Sequence, residues 1–157
     1  MNVLFLCTGN SARSILAEAL LNARAAGRLR AFSAGSHPKG EVHPLALEVL
    51  RTCEVDAVGL RSKSWDEFAG DDAPHMDVVI TVCDQAAAEA CPLWPGAPVK
   101  AHWGLPDPAA VEGSDTERLA AFAAAFTVIE RRIEMLLNLP LEHLSPDELQ
   151  QQLREIH

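Results

Sequence analysis

No stretch of this 157-residue chain approaches the roughly 18 consecutive apolar residues that a membrane-spanning helix needs, so no membrane partner is expected. Positive charge is scarce: 13 Lys and Arg stand against 22 Asp and Glu, a net charge of −9. That balance argues against nucleic acid or an anionic membrane surface, and it requires any anionic ligand to be captured by a local positive site. No Cys-x-x-Cys pair occurs among the four cysteines, which argues against a zinc site of the common kind. A signal peptide is also lacking, since Cys7 arrives too early for one, and the cytoplasm is the expected compartment. Cysteines there are reactive, metal-binding or buried more often than they are structural disulfides. Internal repeats, low-complexity segments and tyrosine are all absent. What is present is 48% hydrophobic residues, enough for one domain over 1–157 with a real core, and a monomer is favoured.

Apolar runs alternate with helical patterns. Val3–Leu6 reads as a buried strand, 12–26 as a helix stopped by Gly27, and 30–33 as a short strand. Residues 44–53 have helical spacing opened by Pro44, and 62–68 form a weaker helix with Ser64 as its cap. Residues 77–82 are the clearest strand, 84–90 are helix-prone, and 99–103 are a fourth strand. The stripe Leu119, Phe122, Phe126, Ile129, Ile133 and Leu137 predicts a long helix over 116–139. Ser145 and Glu148 form a capping box for a last helix carrying Leu149, Leu153 and Ile156, within a helical extension over 139–157. The expectation is an α/β fold of three layers: a four-stranded parallel sheet with helices on both faces, plus an extra C-terminal helix. Ligands of such sheets bind beyond the carboxyl ends of the strands. Cys7, Cys83 and Asp107 all follow strands and would meet at one rim.

The chemistry concentrates in Cys7-Thr8-Gly9-Asn10-Ser11-Ala12-Arg13-Ser14, where a strand gives way to a helix. Unpaired N–H groups at a helix start converge on an anion, and the helix dipole adds positive charge. Arg13 can grip two oxyanion oxygens with its planar fork. The same field is expected to lower the Cys7 thiol into a thiolate, with Ser14 placed to donate to it. Gly9 permits close approach of backbone, and Asn10 tolerates a left-handed turn. Residues 8–14 are therefore the expected oxyanion-binding set.

Cys7-x5-Arg13-Ser14 after a first strand resembles the low-molecular-weight protein tyrosine phosphatase family, and the wording of the loop resembles its arsenate reductase branch. Ser33-Ala34-Gly35, Val82-Cys83, Cys91-Pro92 and His102-Trp103-Gly104 followed by Asp107-Pro108 extend the likeness to about residue 138. The resemblance to thioredoxin-coupled arsenate reductases implies catalytic roles for Cys7, Arg13, Cys83, Cys91 and Asp107. It also implies arsenate as substrate, thioredoxin as external reductant and no bound cofactor. Departures exist. Ala12 stands where many members carry a cysteine, seven residues separate Cys83 from Cys91, one more than in well-known members, and the last helix has no counterpart in shorter ones. Some members bind potassium through an acidic residue near 65; Trp65 stands here, so no metal is expected.

The implied scheme has Cys7 attack arsenate while Asp107 protonates the leaving oxygen. Cys83 then attacks the Cys7 sulfur, and Cys91 carries the disulfide outward. A helix across 83–91 would hold the two α-carbons about 12 Å apart at ~1.5 Å per residue. A disulfide needs less than ~7 Å, so that segment must unwind on oxidation. Three rivals stand beside this scheme. A tyrosine phosphatase would use the same loop, but Ala109-Ala110 follow the Asp-Pro where such enzymes carry aromatics. A reductase resolved by glutathione with glutaredoxin, or by mycothiol, and a non-catalytic oxyanion- or redox-sensing module are the others. Blander readings are weighed for single residues: Cys53 as a buried inert thiol, Glu18 as a solvated or locally bonded helix residue, Asn10 and Ser33 as loop architecture, Asp107 as a turn starter, Trp103 as core or shield. His37, His43 and His102 form no ligand spacing.

Overall fold

The run Val3–Leu6 is apolar without alternation because its strand lies inside the sheet and is covered on both faces. In the computed structural model, which describes residues 1–88, 94, 96 and 98–156, β1 (Asn2–Leu6), β2 (Arg30–Ala34), β3 (Val78–Thr81) and β4 (Val99–His102) form one sheet of order β2-β1-β3-β4. Every pairing is parallel, with Leu6 opposite Ala34 on one side and Thr81 on the other. The central strands are nearly fully buried; the edge strands β2 and β4 mix exposed and buried positions. The expected four-stranded parallel sheet is thus the one observed.

Helices α1 (Arg13–Arg24), α2 (Pro44–Thr52), α4 (Asp115–Leu137) and α5 (Pro146–Arg154) pack around one core with Val3, Phe5, Val78 and Ile80. On the opposite face Leu4, Leu6 and Val79 are covered by Phe68, Met76 and Trp94, where 65–68 is a 3-10 turn rather than a longer helix. The short α3 (Asp84–Ala88) follows β3; the remainder of the expected 84–90 helix, with Cys91, lies outside the described residues. Along α4 the buried stripe ends on Leu136, with Leu137 only partly covered. Helix α5 has the expected capping box at Ser145 and Glu148 and lies against β4, where Leu149, Leu153 and Ile156 are buried. Trp103 is core: it is 3% exposed, packs on Phe5 and donates its indole N–H to the Leu153 carbonyl at 3.1 Å.

Cys53 is exposed, contrary to the expectation of a buried thiol. It caps α2, and the chain then closes through Glu54 at a φ of 59°. Glu54 N–H bonds to the Arg51 carbonyl and Val55 N–H to the Leu50 carbonyl, which is the Schellman pattern. Val55 thereby takes the apolar position that the helical stripe would have assigned to Cys53.

Candidate active site

Residue order in the sheet explains how distant thiols meet. From β1 the chain winds toward β2, and from β3 toward β4, so the crevice between β1 and β3 is the topological switch point. Cys7 leaves the end of β1 and Cys83 leaves the end of β3, on neighbouring strands. Their sulfurs are in hydrogen-bond contact. Thr8 N–H donates to Cys83 Sγ at 3.4 Å, Ala86 N–H at 3.4 Å, and the Thr8 hydroxyl lies 3.7 Å away.

That arrangement divides the charge unequally. The S–H of Cys7 and the N–H groups of Thr8 and Ala86 pull Cys83 down to about 5, against the opposing effect of burial. Cys7 is pushed well above the usual thiol range, first by its hydrogen bond to Cys83 and then by burial, with Arg13 pulling the other way. The direction is the reverse of the expected one, with Cys83 lowered and Cys7 raised, and the two thiols titrate as one coupled pair.

The cavity in front of Cys7, about 530 Å³, is lined by residues 7–13 together with His37, Lys39, Cys83, Asp84, Gln85 and 105–107. Helix α1 begins at Ala12 without any side-chain cap, which leaves its first N–H groups to the cavity. Arg13 donates to the Leu105 carbonyl at 2.9 Å, and its other terminal nitrogen is 3.8 Å from Asp107. Asp107 also accepts from Ala109 N–H at 2.9 Å and starts a 3-10 turn, so the turn-starting role and a position at the rim coexist. Ser14 departs from the expected set: it is fully buried behind the loop, and its oxygen accepts from Asn10 Nδ2 at 2.8 Å. Asn10 and Ser33 are architecture, linked at 3.0 Å. Residues 2–154 match the low molecular weight phosphotyrosine protein phosphatase family.

The chain belongs to that family. Among its relatives is the arsenate reductase of Bacillus licheniformis, 34% identical over 84% of this chain and 91% of the relative. A thioredoxin-dependent arsenate reductase of Corynebacterium glutamicum has a similar structure, with a TM-score of 0.57 at 31% identity over 85% of this chain and 61% of that one. A low molecular weight protein tyrosine phosphatase from T. tengcongensis shares the fold, with a TM-score of 0.70 at 24% identity over 92% of this chain and 99% of that one.

Around this cavity Arg132 and Lys39 carry no sequence signal, while His102 and Glu18 take partners that the sequence does not show. Arg132, from α4, donates to the Trp103 and Gly104 carbonyls at 2.7 and 3.2 Å and so holds the segment leading to Asp107. His102 joins Asp84 at 2.8 Å and Thr81 at 2.7 Å, tying the start of α3 to the end of β4. Lys39 lies across Gly9. Glu18, expected to be solvated or bonded locally, instead reaches Ser33 and Lys63 from distant segments.

The charge division is testable. In a chain with serine at Cys53 and Cys91, ultraviolet thiolate absorbance is expected to rise by one thiolate with a midpoint of about 5. Cys7→Ala removes the S–H donor and should move that midpoint upward. A Cys7→Ala step that stays below the usual thiol range, where Thr8 and Ala86 N–H groups still donate to Cys83, supports the charge on Cys83; no step below that range would assign it to Cys7.

Proposed function

We propose that this chain reduces arsenate to arsenite by a relay of thiols, with thioredoxin as the final reductant. The observation that carries this reading is a second thiol, Cys83, set beside Cys7 on the neighbouring strand with Thr8 and Ala86 N–H groups donating to its sulfur. Phosphoester hydrolysis has no use for a second nucleophile there. Reduction of As(V) by two electrons requires one.

Arsenate enters the cavity with its oxygens toward the amides of the loop and Arg13. As Cys7 attacks arsenic, its proton has an acceptor already in contact, the Cys83 thiolate. An S–As bond forms, and Asp107 protonates the oxygen that leaves as water, a contribution of typically ~10²–10⁴-fold in rate. Cys83 gives up its proton and attacks Cys7 Sγ. The S–As bond breaks with its electron pair going to arsenic, which leaves as arsenite, and a Cys7–Cys83 disulfide remains. Cys91 thiolate then attacks Cys83 Sγ, freeing Cys7 and leaving Cys83–Cys91. A thioredoxin dithiol supplies the two electrons that reset the enzyme. The likeness to the thioredoxin-dependent reductase of C. glutamicum supports that donor. Cys91 lies outside the described residues, so its part rests on the sequence alone.

The test is arsenate-dependent NADPH oxidation with thioredoxin and its reductase, run against glutaredoxin with glutathione. Turnover is expected only with thioredoxin, and Cys91→Ser should reduce it to background. Full thioredoxin-linked turnover by Cys91→Ser would remove the third thiol from the relay, and turnover with glutaredoxin alone would replace the donor.

A further inference from the structure

Lys63 is the one charged residue in the buried set among the described residues, at 8% exposure. It lines no wall of the catalytic cavity. Its ammonium donates to the Arg61 carbonyl at 2.9 Å and lies 3.6 Å from Glu18, whose side chain is only 14% exposed. Its backbone N–H donates to Asn10 Oδ1 at 2.9 Å, and its carbonyl accepts from Gly35 N–H at 3.0 Å. Glu18 accepts the Ser33 hydroxyl, Ser33 accepts Asn10 Nδ2, and Asn10 holds a φ of 42° in the middle of the loop. These contacts close a ring: Asn10, Ser33, Glu18, Lys63 and back to Asn10.

The ring has a direction. A carboxylate only accepts, so Ser33 must donate to Glu18 and receive from Asn10. The Asn10 amide is then oriented with its nitrogen toward Ser33 and Ser14 and its oxygen toward Lys63. The Lys63 ammonium, 3.6 Å away, gives the half-buried Glu18 carboxylate a cationic partner. We propose that Lys63 is a positioning residue for the reaction at Cys7: its pair with Glu18 sets the polarity of the ring and thereby the backbone of the oxyanion loop at Asn10. This deepens the proposed function and rests on reading residues 7–13 as an oxyanion loop. Burial opposes the charge on Lys63 while Glu18 sustains it. Arg61 and Glu67, paired with each other at the surface, are the other charged groups acting there.

The probe is sulfate, whose charge does not change across the neutral range, with its binding measured by calorimetry on the whole chain beside arsenate KM and kcat. Lys63→Met is expected to weaken sulfate binding and raise arsenate KM by about tenfold, with a smaller change in kcat. Glu18→Gln, which leaves the ammonium unpaired, should weaken binding to a similar degree. The double variant Glu18→Gln/Lys63→Met should recover to within about threefold of wild type. Where Lys63→Met does not fold, Glu18→Gln and the double variant still decide. Unchanged sulfate affinity in a folded single variant, whatever its thermal stability, or additive losses in the double, would overturn the role. Wild type that binds no sulfate would overturn the oxyanion-loop reading beneath it.

Discussion

Cys83→Ser is expected to lower arsenate turnover on the order of 10³-fold or more while leaving sulfate affinity near that of wild type. Of the loop amides only Thr8 N–H contacts Cys83, and a serine oxygen can still accept from it; the others and Arg13 are untouched by this change. What is lost is the sulfur that breaks the S–As bond, and serine cannot form the disulfide that leaves arsenic with two more electrons. Because Cys7 remains, slow hydrolysis of p-nitrophenyl phosphate should survive in Cys83→Ser and vanish in Cys7→Ser. The pair of variants therefore separates the two reactions one loop can run. Steady-state turnover with thioredoxin, with a single-turnover count of arsenite released, provides the measurement. Cys83→Ser that turns over arsenate at the wild-type rate would reject the relay. Wild type that hydrolyses aryl phosphates well and turns over no arsenate would favour the phosphatase reading.

Gly35→Ala is the second change with a large expected effect, and it touches no reacting atom. A Cβ at Gly35 would lie 2.4 Å from the Thr8 carbonyl oxygen and 2.5 Å from that of Cys7. Both are backbone atoms at the start of the loop, with no flexible side chain to give way. Gly35 cannot retreat either. Its N–H donates to the Lys63 carbonyl and its carbonyl accepts from Trp65 N–H, at 3.0 and 2.9 Å. The loop must move instead, and misplacement of about 1 Å costs on the order of 10²-fold in rate. The variant is expected to fold, by far-ultraviolet circular dichroism, with kcat/KM for arsenate down by about that factor and with weaker sulfate binding. Wild-type kcat/KM in a folded Gly35→Ala would show that the loop tolerates displacement.

Much of the fold was legible because its signals are local. The apolar runs at Val3–Leu6 and around Val78–Thr81 mark central strands, whose burial on both faces removes any alternation. Capping boxes at Ser114 and Ser145 mark helix starts through residues three apart, although only the second was read in advance. The candidate oxyanion loop was equally legible, since its cysteine, glycine and arginine lie within seven consecutive residues. Cys53 was misread because helical periodicity does not show where a chain turns at Glu54 and lets Val55 fill the apolar position.

By itself the sequence determined a parallel sheet, a thiol at the end of its first strand and a strand-to-helix loop after it that carries glycine and arginine. Each of these follows from residues within a few positions of one another. Only the tertiary structure set the second thiol beside the first and lowered its pKa. That depends on Thr8 and Ala86 N–H groups and the Cys7 S–H all converging on Cys83 across neighbouring strands. It likewise decided that Glu18 faces a buried lysine rather than water, because the partner comes from a separate loop folded beneath Asn10. Electrostatics act through space, and the partners of Cys83 and Glu18 become neighbours only when the sheet has brought their segments together.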